Sequence, residues 1–168
     1  MTTALPERTF TEEDVLTGTW AAPYARVIVV EDDPEMRLWV EEILSDEGYR
    51  VRTAPDALSS LMFQLREPAD VVITDWKMPG MDGLRLLEAL HRCSPGLPVI
   101  IVTAYPEDEL VRRVQEEGAF SCITKPFRRA QLLAHVQGAL HCARLGRASQ
   151  QTGGALSWRA DMSGEPEA

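Results

Sequence analysis

Long apolar runs are missing from this sequence. The longest, "VIVV" and "VIIV", fall far short of the ~18 consecutive apolar residues that a membrane-crossing helix needs. Paired cysteines are missing too. Cys93, Cys122 and Cys142 are scattered, with no C-x-x-C among them, so neither a disulfide framework nor a zinc site is indicated. The N-terminal stretch "MTTALPERTFTEED" has no apolar core region and does not read as a secretory leader. A reducing cytoplasm is the expected compartment. Positive charge is in short supply: 17 Lys and Arg stand against 26 Asp and Glu, for a net charge of −9 over 168 residues. That balance argues against nucleic-acid binding, which needs a basic face against the phosphates. His91, His135 and His141 lie in helical patterns without paired ligand spacing. They read as structural or exposed groups, not as catalytic ones.

What is present is an alternation. The apolar run "RVIVV" leads into "DPEMRLWVEEILSDEGY", where Met36, Val40, Ile43 and Leu44 recur at helical spacing and Gly48 is a stop. The strand "YRVRTA" and the helix "DALSSLMFQLRE" follow, then the strand "DVVITD", the turn "KMPGMDG" and the helix "LRLLEALHR". The strand "PVIIVTA", the helix "EDELVRRVQEEG", the short strand "SCITK" and the helix "RRAQLLAHVQGALHCARL" complete the series. Such alternation predicts an α/β domain with a parallel sheet. The runs "VIVV", "VVITD" and "VIIV" are apolar on consecutive positions, as strands covered on both faces should be. "YRVRTA" alternates polar and apolar and is expected at an edge. The domain is placed at residues 26–145. Residues 1–25 read as a flexible extension, in which Thr11 could cap a short helix and Trp20, Pro23 and Tyr24 could dock on the domain. Residues 146–168 are Gly-, Ser- and polar-rich and read as a disordered tail.

In an open parallel sheet, ligands bind beyond the carboxyl ends of the strands, where the strand order reverses. The first strand delivers Glu31, Asp32 and Asp33 there, the third Asp75, the fourth Thr103 and the fifth Lys125. Carboxylates gathered at one rim raise one another's pKa unless a cation compensates. Mg²⁺ suits such a rim, since it takes oxygen ligands from one or two carboxylates and completes its shell with water and phosphate oxygens. Lysine and threonine can hold phosphoryl oxygens. An aspartate at the centre can act as a nucleophile and form an acyl phosphate, with cations stabilising the transferring charge. Asp33, followed by Pro34, fits an N-cap for the first helix instead.

The segments "VIVVEDDPEMR", "VVITDWKMPGMDG", "VIIVTAY" and "GAFSCITKPF", in this order and spacing, resemble the receiver domain of bacterial two-component response regulators. The resemblance runs from about Arg26 to Leu145. It implies a flavodoxin-like, doubly wound, five-stranded parallel sheet of order 2-1-3-4-5 flanked by five helices. It implies that Asp75 accepts phosphate, that Asp32 binds Mg²⁺ directly and that Glu31 acts through metal-bound water. The backbone carbonyl of Lys77 would complete the metal site. Thr103 would be the switch hydroxyl and Lys125 the phosphate-contacting lysine, with a cis bond before Pro126. In the turn "MPGMDG", Gly80 and Gly83 are suited to positive φ. One position departs from the pattern: three residues before the lysine the family often carries Tyr or Phe, and here it is Cys122. Tyr105, two residues after Thr103, could supply a ring nearby and slow water attack on the acyl phosphate.

The resemblance therefore implies a phosphorylation-switched signalling receiver of the stand-alone type. Apart from its own phosphorylation and dephosphorylation it would not be an enzyme. Its expected partners are a sensor histidine kinase or histidine phosphotransfer protein and a downstream protein reached through the fourth helix, fifth strand and fifth helix. Arg112, Arg113, Arg128 and Arg129 form two basic pairs near the fourth and fifth helices, a surface that in this family commonly meets partners. Homodimerisation is left open. Two alternatives compete. One is a phosphate-independent interaction or scaffold module, suggested by Cys122. The other is a phosphatase of the haloacid dehalogenase type, which Glu31 and Asp33 fit poorly because that chemistry wants D-x-D after the first strand.

Overall fold

The first strand, β1 (Arg26–Val30), is buried on both faces because its side chains alternate between two apolar layers. The structure, a computed structural model, describes residues 25–157, with side chains to residue 146. Among these residues five strands and five helices alternate. Helix α1 (Pro34–Asp46) leads to β2 (Arg50–Ala54), α2 (Ala57–Arg66) to β3 (Val71–Asp75), and α3 (Gly83–Cys93) to β4 (Val99–Thr103). Helix α4 (Asp108–Glu116), β5 (Ser121–Thr124) and α5 (Arg129–Ser157) follow. All pairings are parallel and the order is β2-β1-β3-β4-β5. The expected fold is therefore observed, with "RVRTA" at the edge. No helix among the described residues is long and apolar enough to cross a membrane.

Alternation within the apolar runs explains the two layers. Val27 and Val29 of β1 pack with Val40, Ile43 and Leu44 of α1 and with Leu132 and Val136 of α5. Ile28 and Val30 face the other way, toward Leu84, Leu87 and Leu90 of α3 and Leu110 and Val114 of α4. A strand that must satisfy both layers is apolar except near its carboxyl end, where β3 carries the buried Thr74 with its hydroxyl bonded to the Asp75 carbonyl at 3.0 Å. Polar chemistry is thereby confined to the strand ends.

The helix starts follow local rules. Asp33, Asp56 and Asp82 each accept a backbone N–H of the helix they precede, at 3.0, 2.7 and 2.9 Å. Pro34 opens α1, where its missing N–H costs nothing. Gly48, at φ 87°, turns the chain out of α1.

Two boundaries differ from the sequence reading. Ala25 is buried at 6% exposure, and its carbonyl accepts the Arg50 amide at 2.9 Å. It therefore belongs to the domain and not to the extension. At the other end the backbone of α5 continues to Ser157, past the break read after Leu145. Gly146 does not stop the helix, because a glycine lowers helix propensity by only about 1 kcal/mol. The expectations for Thr11, Trp20, Pro23 and Tyr24 and for residues 158–168 lie outside the described residues.

Candidate acidic phosphoryl site

The carboxyl ends of β1, β3, β4 and β5 form one rim, and backbone hydrogen bonds fix it. The Glu31 amide donates to the Ala54 carbonyl at 3.1 Å, that of Trp76 to Val102 at 2.8 Å, and that of Lys125 to Thr103 at 2.7 Å. Within this frame Glu31, Asp32 and Asp75 each offer a carboxylate oxygen, and these oxygens lie within 4.8 Å of one another. Lys125 closes the cluster from β5: its Nζ donates to Glu31 Oε2 at 2.8 Å and lies 3.5 Å from Asp75 Oδ2. The bond before Pro126 is cis.

The three acids are not equivalent. Glu31 is buried at 5% exposure, and its second oxygen accepts the Asp33 amide at 3.2 Å. Asp75 is half-buried and Asp32 exposed. Burial, chiefly, pushes the Glu31 and Asp75 carboxyls above the usual carboxylate range, against the pull of Lys125, and neighbouring acids add to the rise. Burial works against the charge of Lys125, but its two carboxylate partners raise its pKa on balance. One ammonium among three carboxylates leaves an excess of negative charge. The donors are all oxygen and partly solvated, which suits a hard cation such as Mg²⁺ and not a thiolate- or imidazole-seeking metal.

Thr103 reaches the same rim at 1% exposure. Its hydroxyl is turned into its own loop, accepting the Tyr105 amide at 3.0 Å and donating to the Tyr105 carbonyl at 3.3 Å. Lys77 follows Asp75 on the exposed loop. Its ammonium sits 4.9 Å from the Tyr105 ring centre and 5.8 Å from that of Trp76, an arrangement of the cation–π kind. The Lys77 side chain is thus part of an aromatic rim. Arg37 escaped the sequence reading: its guanidinium donates to the Glu31 carbonyl at 2.7 Å and lies 3.5 Å from that of Asp32. It steadies the acidic loop from α1. The signal was available in "EDDPEMR", where a helix of known phase returns Arg37 toward the strand end.

One expectation about the turn is corrected. Gly80 has φ 82°, as expected, but Gly83 has no positive φ. Gly83 opens α3 directly beneath the site, where a Cβ would lie 2.5 Å from the Asp75 carbonyl oxygen and 3.0 Å from Trp76 Cα. Close approach of backbone to backbone requires glycine here, not turn geometry.

The family model for the response regulator receiver domain matches residues 27–137. The chain belongs to this family. Among curated relatives of this receiver chain, Sporulation initiation phosphotransferase F of Bacillus subtilis is 33% identical over 102 residues, 61% of this chain and 82% of that protein. The C4-dicarboxylate transport transcriptional regulatory protein DctD of Pseudomonas aeruginosa is 35% identical over 120 residues, 71% of this chain but 26% of that one. The receiver thus spans most of one relative and about a quarter of the other. Among solved structures, a response regulator receiver domain protein from Clostridium thermocellum superposes with a TM-score of 0.69 at 28% identity, over 72% of this chain and 98% of that chain. Chemotaxis protein CheY4 of Vibrio cholerae gives a TM-score of 0.67 at 31% identity, over 70% and 99%.

Other residues singled out from the receiver's sequence fall outside the acid cluster. Cys122 is half-buried on β5 against the α3–α4 layer, and burial raises its thiol pKa. His91 pairs with the Leu97 carbonyl at 3.2 Å and His135 with the Ser121 hydroxyl at 2.8 Å. Both are structural contacts. Arg112 is held by Glu109 and Glu116 on its own helix. Arg129 reaches back to Asp46 and Glu47 at the end of α1. Arg112 and Arg129 are thus each paired with acidic side chains.

Proposed function

We propose that this receiver is phosphorylated on Asp75 by a histidine kinase or histidine phosphotransfer protein, in a Mg²⁺-dependent step. The observation that carries the reading is the Lys125-bridged trio of Glu31, Asp32 and Asp75 at the strand ends. Asp32 and Asp75 would hold the metal with the Lys77 carbonyl, and Glu31 would support it through water. The bound cation supplies charge neutralisation for the incoming phosphoryl group.

An Asp75 carboxylate oxygen forms the new P–O bond as the P–N bond to the donor histidine breaks, and the donor imidazole recovers the electron pair and takes a proton. Lys125 lies nearer Glu31 than Asp75 in this state, and engaging a phosphoryl oxygen on Asp75 draws its Nζ toward that side, away from the 2.8 Å contact with Glu31. Thr103 likewise has to release Tyr105 before its hydroxyl can bond phosphate. These two exchanges couple phosphate arrival to the β4–α4 loop and to β5. The α4–β5–α5 face then changes its population of states and meets a downstream protein. Beyond its own phosphorylation and dephosphorylation the receiver catalyses nothing.

Incubation with acetyl phosphate and Mg²⁺, read by intact-protein mass and by Asp75→Ala, tests the assignment. A phosphoryl adduct lost in Asp75→Ala and with chelator is the expected result. No adduct, together with no metal binding, would establish the phosphate-independent scaffold reading instead. The phosphatase reading would require steady turnover of a small phosphate ester.

A further inference from the structure

A cleft of about 570 Å³ opens at the pole opposite the acidic site, beneath the amino ends of the strands. Its walls come from residues just before β3 (Pro68, Ala69), β4 (Leu97, Pro98) and β5 (Phe120), and from Cys142 on α5. The size falls in the range of about 300–1,000 Å³ typical of sites that enclose a small ligand or a few side chains. None of the phosphoryl chemistry uses it.

The chain enters the domain at the rim of this cleft. The Arg26 amide donates to Asp70 Oδ2 at 2.9 Å, and the Arg26 carbonyl accepts the Asp70 amide at 2.8 Å. Asp70 is itself a lining residue. Residues 1–24, outside the described part of the chain, therefore join the domain beside the cleft. Their last ten residues, "VLTGTWAAPY", carry no charge, whereas "ERTFTEED" before them is dominated by charge.

We propose that the segment ending in Trp20, Pro23 and Tyr24 lies across this pole, with its aromatic side chains filling the cleft. Reach permits it. Trp20 stands five residues before Ala25, a span of up to about 17 Å for extended chain. In the order β1-β3-β4-β5, the far wall is three strand spacings away, about 14 Å. The lining suits aromatic rings, with proline rings, Leu97 and the Phe120 ring, and with polar backbone at the loops to accept an indole or phenol hydrogen. Tethering favours this occupant over the same segment of a second copy, because a covalently attached segment acts at an effective concentration of about millimolar.

Peptide-resolved alkylation with iodoacetamide reads the occupancy at Cys142, which lines the cleft and is exposed among the described residues. In the full chain Cys142 should react about tenfold more slowly than in a Trp20→Ala/Tyr24→Ala double variant, the slowing given by a segment docked roughly nine-tenths of the time. Cys122, half-buried on the opposite side of β5 from α5, should react at the same rate in both. Equal Cys142 rates overturn the proposal. Protection that grows with protein concentration overturns it in favour of a second copy. Should Cys122 also accelerate in the variant, the unmutated chain decides by nuclear Overhauser contacts. Contacts from the Trp20 indole to Leu97 or Phe120 within one molecule support the docked segment. Their absence, or their appearance only between labelled and unlabelled molecules, refutes it.

Discussion

Replacing Gly83 by alanine adds one methyl group and sets two effects against each other. Alanine favours helix over glycine by up to about 1 kcal/mol, and Gly83 opens α3. Against this, the new Cβ would lie 2.5 Å from the Asp75 carbonyl oxygen, almost an ångström short of ordinary contact. That oxygen belongs to the backbone, on a loop pinned by the Gly83 amide to the Trp76 carbonyl and by the Trp76 amide to Val102, both at 2.8 Å. It cannot swing aside as a flexible side chain would. Overpacking of this kind costs about 1–3 kcal/mol, so a net loss of about 1–2 kcal/mol is expected. For a domain of this size that corresponds to a fall in Tm of about 4–8 °C. The displaced backbone is that of Asp75 itself, so Mg²⁺ affinity, read by the fluorescence of the neighbouring Trp76, should fall as well. Gly138→Ala is the control. Its Cβ would meet the Phe120 ring at 3.3 Å, a side chain that can yield, and stability should change little or rise. Urea denaturation of both variants decides the matter. A Gly83→Ala protein as stable as the parent, with unchanged metal affinity, would refute the close-approach reading.

Three further outcomes are expected. Asp32→Ala should abolish Mg²⁺ binding by calorimetry while leaving stability nearly intact, whereas Asp33→Ala should bind metal and lose about 1 kcal/mol through its lost cap; the reverse pattern would reassign the two acids. Glu31 and Asp75 have pKa values raised above their ordinary 4.5 and 3.8. The stability they contribute is therefore full below those ordinary values and is lost as pH rises through the raised ones, so Mg²⁺ should raise Tm more at pH about 7.5 than at about 4.5, and an equal shift at both would contradict it. Tyr105→Ala removes the ring beside Lys77. Losing a contact of about 0.5–1 kcal/mol should shorten the lifetime of phosphorylated Asp75 by about 2–5-fold, and an unchanged lifetime would show that this rim does not restrain water.

The sequence by itself determined the order of elements, the edge position of β2 and the identity of the acidic rim. Each rests on local pattern: consecutive apolar residues for covered strands, Asp before helices for caps, polar groups only where the strands leave the sheet. Asp33 could be separated from Glu31 and Asp32 because capping is set by immediate neighbours. The tertiary structure alone decided what those residues touch. Lys125 is 94 positions from Glu31 along the chain, and no local rule fixes which carboxylate it approaches more closely. The inward burial of Glu31, the loop-bound state of the Thr103 hydroxyl and the stacking of Lys77 on Tyr105 likewise depend on separate strand ends meeting. Gly83 makes the same point in reverse: a glycine in a turn motif suggested positive φ, but a distant backbone carbonyl, brought within reach by the packing of α3 under β3, is what excludes a side chain there.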